Sequence, residues 1–129
     1  MNNDEVVADA SAVLAALKNE PFTKVDPTRL VGSIVSAVNM CEVLSKLHDD
    51  GLTPAQADAA ASVLKLEVVA FDADHAAIAA ELRIGTRSRG LSLADRACLA
   101  LARELQCAAV TADRAWADLD LGIEVILIR

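Results

Sequence analysis

The sequence predicts an α/β fold, a single domain over residues 1–129 with an open, mostly parallel sheet and helices on both faces. Short apolar runs rich in valine and isoleucine alternate along the chain with longer helical stretches. Hydrophobic residues make up 54% of the 129 positions, which is enough to cover both faces of a sheet. The composition does not change along the chain, so one domain is expected.

Each predicted element follows from a local pattern. Apolar runs predict strands, in order, at 5–8 (Val6-Val7-Ala8), about 32–35 (Ser33-Ile34-Val35), 67–71 (Glu67 to Phe71), 108–110 and 124–128 (Glu124 to Ile128). Helical periodicity between them predicts helices at 10–17, 37–49, 54–65, 73–87 and 93–106, with a short one from 114. Pro54 suits a first helical turn, and Gly51, Gly90 and Gly122 mark junctions between elements.

The charge balance excludes some functions and leaves others open. The formal net charge is −7, which argues against a protein that coats nucleic acid with a basic face. It does not exclude a nuclease, because carboxylates that hold metal ions are neutralised when the ions bind. Aromatic residues are only 2% of the chain, so a base-stacking platform is not expected.

No apolar run reaches the roughly 18 residues of a membrane span, and the polar start lacks a signal peptide's basic region. We therefore expect a cytoplasmic protein without membrane contact.

Two aspartates follow predicted strands. Asp9 comes directly after the first strand, and Asp113 follows the fourth strand and Thr111. Either carboxylate can cap the helix that begins next to it. In an open parallel sheet, however, ligands bind beyond the carboxyl ends of the strands. If the first and fourth strands are neighbours, the two aspartates come close together.

Two further acids lie on predicted helices. Asp95 ends a Ser92-x-x-Asp95 pattern, which is typical of a capping box. Glu42 shares a narrow polar stripe with Asn39 and Lys46. That stripe allows either a solvated i,i+4 pair between Glu42 and Lys46 or a glutamate that faces a cleft.

The four acids taken together indicate metal chemistry. Clustered carboxylates repel one another unless a cation neutralises them. Oxygen ligands without histidine or cysteine favour Mg²⁺, with Mn²⁺ as a plausible substitute. Such sites most often serve phosphoryl chemistry.

Four motifs then resemble one known family. The segments "DAS" after the first strand, "SAVNMCEVLSKL", "GLSLADRACLALA" and "VTADRAW" resemble PIN-domain ribonucleases of the VapC type, the toxins of type II toxin–antitoxin modules. The resemblance implies a three-layer α/β/α fold whose five-stranded parallel sheet has the order 3-2-1-4-5. It also implies a Mg²⁺-dependent endoribonuclease, a cognate antitoxin partner, a homodimer and a toxin–antitoxin hetero-oligomer. Alanines replace larger or different residues at Ala8 and Ala94, but neither position is a ligand.

The resemblance also assigns site residues. Four residues match the family's catalytic and metal-binding acids: Asp9, Glu42, Asp95 and Asp113. Ser11 and Thr111 match the family's nearby polar positions, and Asn39, on the polar stripe of Glu42, is a further supporting polar residue. The implied reaction is hydrolysis of an RNA phosphodiester bond by metal-activated water. The stretch 83–96 is locally basic, so Arg87, Arg89 and Arg96 are candidates for phosphate contacts, although a solvated face is the favoured explanation for them. Arg114, next to Asp113, is a further candidate.

Two alternatives remain at this point. A phospho-receiver signalling domain also has acids at strand ends, and Asp72 follows the third predicted strand. A receiver needs an acidic pair after the first strand and a lysine after the fifth, however, and this chain has no lysine beyond Lys65. The other alternative is a catalytically silent PIN-like scaffold that binds RNA, which the presence of all four acids disfavours.

Overall fold

The sheet has the predicted topology. The computed structural model describes residues 5–129 and contains a five-stranded sheet, all parallel, in the order β3-β2-β1-β4-β5. This confirms both the α/β prediction and the strand order that the resemblance implied. The strands are β1 (Val6–Ala8), β2 (Ile34–Ser36), β3 (Glu67–Val69), β4 (Ala108–Thr111) and β5 (Val125–Leu127).

Five α-helices and three short 3₁₀ helices connect these strands. The α-helices are α1 (Ala10–Leu17), α2 (Ala37–Asp49), α3 (Pro54–Ser62), α4 (Ala73–Ile84) and α5 (Leu93–Leu105). The 3₁₀ helices span Pro27–Leu30, Arg87–Arg89 and Arg114–Asp118. Among residues 5–129, no helix is long and apolar enough to cross a membrane.

Some boundaries differ from the sequence prediction for local reasons. The fourth helix ends at Ile84 rather than 87, because Gly85 caps it and a separate 3₁₀ turn follows. The second strand begins two residues later and ends one residue later than predicted, and Ser36 at its end accepts a hydrogen bond from Val38 N as the cap of α2. The element predicted from 114 is a 3₁₀ turn, too short to pack along the sheet as α1 does.

Both faces of the sheet are covered, as expected for parallel strands. Side chains alternate along β1, so Val6 and Ala8 face α1, α2 and α3 while Val7 faces α4 and α5. All three residues are at most 1% exposed. The buried strand β1 is therefore the centre of the molecule, with a hydrophobic core on each side.

The strand order reverses next to β1. From β1 the chain builds β2 and β3 on one side, then crosses over to place β4 and β5 on the other. Ala8 pairs with Val110, and the backbone N–H of Asp9 donates to the Val110 carbonyl at 3.0 Å. The chain therefore leaves β1 and β4 side by side, at the kind of crevice where open α/β sheets bind ligands.

Candidate active site

A pocket of about 240 Å³ lies at the carboxyl ends of β1 and β4. Its lining includes all four predicted acids, Asp9, Glu42, Asp95 and Asp113. The other lining residues are Ala10, Ser11, Leu14, Asn39 and Lys46. Two larger cavities, of about 380 and 670 Å³, each have a single carboxylate in their lining, Glu124 and Glu42 respectively. Of these cavities, the smaller acidic pocket is the one whose chemistry suits a cation.

Asp9 is the most buried of the four acids. Its side chain is 5% exposed, and its Oδ1 accepts hydrogen bonds from Ala12 N at 2.9 Å and from Ser11 Oγ at 2.7 Å. The pKa of Asp9 is raised to about 6, mainly by burial and to a smaller extent by the nearby charge of Asp95, against the lowering effect of the hydrogen bonds. Asp9 is thus both the predicted helix cap and a carboxylate whose charged form is costly without a cation.

Two hydroxyl groups hold Asp9 and join it to the end of β4. Thr111 Oγ1 donates to Asp9 Oδ2 at 2.5 Å and accepts from Asp113 N at 3.0 Å. Ser11 Oγ donates to Asp9 and accepts from Ala112 N at 2.9 Å. These bonds fix the relative positions of the two strand ends, as expected for groups that orient metal ligands.

Asp113 and Asp95 each cap a helical element, as predicted. Asp113 Oδ1 accepts from Ala115 N at 2.9 Å, and the side chain is exposed. At the start of α5, Ser92 Oγ accepts from Asp95 N at 3.1 Å while Ser92 N donates to Asp95 Oδ2 at 2.9 Å, so the capping box is present. Capping does not exclude a second role, because both carboxylates also line the pocket.

The polar stripe of α2 faces this pocket. Asn39 is 1% exposed, and its Nδ2 donates to the Ala94 carbonyl of α5 at 3.1 Å, which joins the helices that carry Glu42 and Asp95. Within the described part of the chain, Asn39 Oδ1 has no hydrogen-bond partner. Glu42 and Lys46 form no ion pair within 4 Å there, so the cleft-facing interpretation of Glu42 describes the geometry better.

The oxygen donors that line the pocket are of the kind that a hard divalent cation prefers. Four carboxylates and the buried Asn39 Oδ1 supply oxygen only, the preference of Mg²⁺ and Mn²⁺. Among residues 5–129, however, no three His, Cys, Asp or Glu side chains lie close enough to form a preassembled metal group. Carboxylates repel one another in the absence of a cation.

The four predicted arginines lie outside the lining of the pocket. Arg89 donates to the Ala115 carbonyl at 2.8 Å and pairs with Asp118, so it braces the turn that follows Asp113. Two of the other arginines donate hydrogen bonds to backbone carbonyls. Arg96 donates to the Ala79 carbonyl at 2.9 Å, and Arg114 donates to the Arg129 carbonyl at 3.3 Å. Arg87 is exposed.

Lys46 is the lining residue that sequence reasoning missed. The sequence suggests it only as an ion-pair partner of Glu42, yet it lines the pocket as a cation. Its spacing of seven residues from Asn39 and four from Glu42 was the available signal, since these positions share one helix face.

The phospho-receiver alternative does not fit this topology. Receivers have the strand order 2-1-3-4-5, with the third strand inside the sheet. Here β3 is an edge strand, and the Asp72 side chain caps α4 by accepting from His75 N at 3.0 Å. Asp72 is also absent from the lining of the acidic pocket.

Several solved structures similar to this chain come from toxin–antitoxin systems. A chain of VapBC-5 from Mycobacterium tuberculosis is 25% identical with a TM-score of 0.64, and the match covers 98% of both chains. VapBC2 from Rickettsia felis, solved with a DNA fragment from its promoter, gives a TM-score of 0.76 at 14% identity over 97% of this chain and 99% of that one. VapC20 from Mycobacterium tuberculosis, described as a sarcin-ricin loop cleaving toxin, gives 0.65 at 21% identity over 92% and 98%.

Family membership follows from the sequence match. No curated protein sequence matches the chain significantly. The PIN domain family model, however, matches residues 6–121, from the start of β1 to just before β5. That range contains all four acids and both hydroxyl groups that hold Asp9. The chain belongs to the PIN domain family.

Proposed function

We propose that this protein is the toxin of a type II toxin–antitoxin system and acts as a Mg²⁺-dependent endoribonuclease. One observation carries the proposal: four carboxylates from distant parts of the sequence, Asp9, Glu42, Asp95 and Asp113, line one pocket at the reversal point of a PIN-family sheet. Gathering four negative charges in one pocket is unfavourable unless a cation binds there.

We assign the roles of the four acids from the burial of their side chains. Asp9, held by Ser11 and Thr111, would be the principal ligand of the ion, and Asp95 and Asp113 would hold the ion directly or through water. Glu42 is exposed on α2 and either joins them or orients the attacking water. The bound ion would activate water and stabilise charge on the phosphate. No serine or cysteine nucleophile is required.

The partners follow from the same assignment. Similar chains come from toxin–antitoxin complexes, including one from Klebsiella pneumoniae and the DNA-bound VapBC of Salmonella typhimurium. We therefore expect a cognate antitoxin as partner, and a homodimer of this chain within the hetero-oligomer. RNA is the expected substrate.

The test combines growth and chemistry. Inducible expression should arrest growth, the adjacent gene should relieve the arrest, and new RNA 5′ ends should map to defined sites. The purified protein should cut the same RNA in the presence of Mg²⁺ or Mn²⁺, and EDTA should abolish this cleavage. Asp9→Asn should fold and fail to cut. Cleavage that persists in EDTA or in Asp9→Asn would reject the assignment, and RNA binding without cleavage by the wild type would favour a silent scaffold.

A further inference from the structure

Helix α2 presents a lysine to the acidic pocket. Asn39, Glu42 and Lys46 are separated by three and four residues, so they share one face of the helix, and all three line the pocket. Lys46 is the only lysine or arginine among the lining residues. The pocket therefore contains one cationic side chain beside four carboxylates.

The Lys46 ammonium group is free to bind something else. Within residues 5–129, Lys46 has no carboxylate within 4 Å, although Glu42 is one helical turn away. By contrast, Lys18 pairs with Asp50 at 2.8 Å and Arg129 pairs with Glu20 at 3.2 Å. Lys46 is exposed, so its long side chain can move across the mouth of the pocket.

The electrostatics of the pocket favour a cation at its mouth. Four ionised carboxylates and one divalent ion leave a charge of −4 + 2 = −2, and the protein as a whole has a formal charge of −7. An RNA strand must bring negative phosphates to this site. A lysine ammonium is a compact charge with three hydrogen-bond donors, suited to a phosphate oxygen. The predicted arginines are not in the lining, and Arg89 and Arg96 already make the contacts described above.

We propose that Lys46 is a phosphate-binding residue for the RNA strand, holding a phosphate next to the scissile one so that the strand lies across the four carboxylates. The inference rests on the proposed nuclease function. Because the contact is made before and during the reaction alike, Lys46 strengthens substrate binding rather than the chemical step.

The test compares three variants: Lys46→Gln, Lys46→Arg and the control Lys24→Gln, an exposed lysine outside the pocket lining. With an RNA oligonucleotide that the wild type cuts, Lys46→Gln should raise KM about tenfold and leave kcat within about twofold. Loss of one phosphate contact should reduce the salt dependence of log KM by about 0.7. Lys46→Arg should retain wild-type values, and Lys24→Gln should change neither parameter.

A binding measurement separates this inference from the nuclease assignment. Fluorescence anisotropy of a labelled single-stranded RNA is followed with the Asp9→Asn protein, with and without Lys46→Gln. If the wild type cuts no RNA but Lys46→Gln weakens RNA binding tenfold, the nuclease assignment fails, while phosphate binding by Lys46 is supported. If Lys46→Gln behaves as Lys24→Gln in both assays, the inference is overturned. A changed Mn²⁺ affinity with an unchanged salt slope would also overturn it, because the lysine would then only balance the carboxylates.

Discussion

The ends of β1 and β4 have the same sequence pattern and opposite environments. At both, an aspartate follows a buried strand and caps the next turn, Asp9 through Ala12 N and Asp113 through Ala115 N. Asp9 is 5% exposed, however, while Asp113 is exposed. The central strand β1 leads into an α-helix packed on the sheet, whereas β4 leads into a short 3₁₀ turn. One local pattern thus produces a buried carboxylate at β1 and an exposed one at β4.

The largest expected difference concerns the two aspartates themselves. Asp9→Asn should reduce RNA cleavage by about 1,000-fold or more, and Asp113→Asn by roughly 10- to 100-fold, because an exposed ligand is more easily replaced by water than a buried one. Single-turnover cleavage and Mn²⁺ titration by electron paramagnetic resonance measure the two losses. Equal losses would show that burial does not distinguish the two ligands.

The stability of the metal-free protein should also distinguish them. The pKa of Asp9 is about 6 in the folded protein, against 3.8 for an aspartate in water, so protonation favours folding. The stabilisation is complete below about pH 3.8 and is lost as pH rises through 6, a change of about 3 kcal/mol from this group. Urea unfolding in EDTA between pH 4 and 7.5 measures it. This pH-dependent part of the free energy of unfolding should be absent in Asp9→Asn and present in Asp113→Asn.

Thr111 tests the link between the two strand ends. Thr111→Val removes the donor to Asp9 Oδ2 and the acceptor for Asp113 N, so metal affinity should fall by roughly 10- to 100-fold. The pKa of Asp9 should rise further, which moves the onset of metal binding to higher pH. Thr86→Val is a matched control, since Thr86 is also buried but its hydroxyl bonds only to the Leu82 carbonyl. It should keep wild-type metal affinity, and a similar loss in both variants would contradict a specific role for Thr111.

The smallest effect is expected at the contact between α2 and α5. Asn39→Leu removes the hydrogen bond to the Ala94 carbonyl and an unpartnered buried oxygen, so stability should change by about 1 kcal/mol or less. Cleavage should nevertheless fall by about tenfold, because the hydrogen bond that joins the helices carrying Glu42 and Asp95 is lost. Thermal unfolding and kcat measure the two effects, and a variant with normal kcat would limit Asn39 to packing.

Much of this arrangement could be predicted from local patterns. The apolar runs located all five strands, and Ser92-x-x-Asp95 identified a capping box that is present. The prediction that Asp9 and Asp113 approach each other depended on β1 and β4 being neighbours, which they are. The positions of the arginines were less accessible to sequence reasoning, because a basic stretch does not reveal which guanidinium groups bond to nearby carbonyl groups.

The sequence by itself determined the alternation of strands and helices, the caps and the set of candidate acids, since these depend on neighbours within a few residues. Only the tertiary structure decided that Asp9 is buried and Asp113 exposed, that Lys46 lines the pocket, and that Glu42 and Lys46 do not pair. The physical reason is that burial and charge environment depend on elements far apart in the chain. For Asp9 those elements are β4, which supplies Thr111, and α5, which supplies the charge of Asp95.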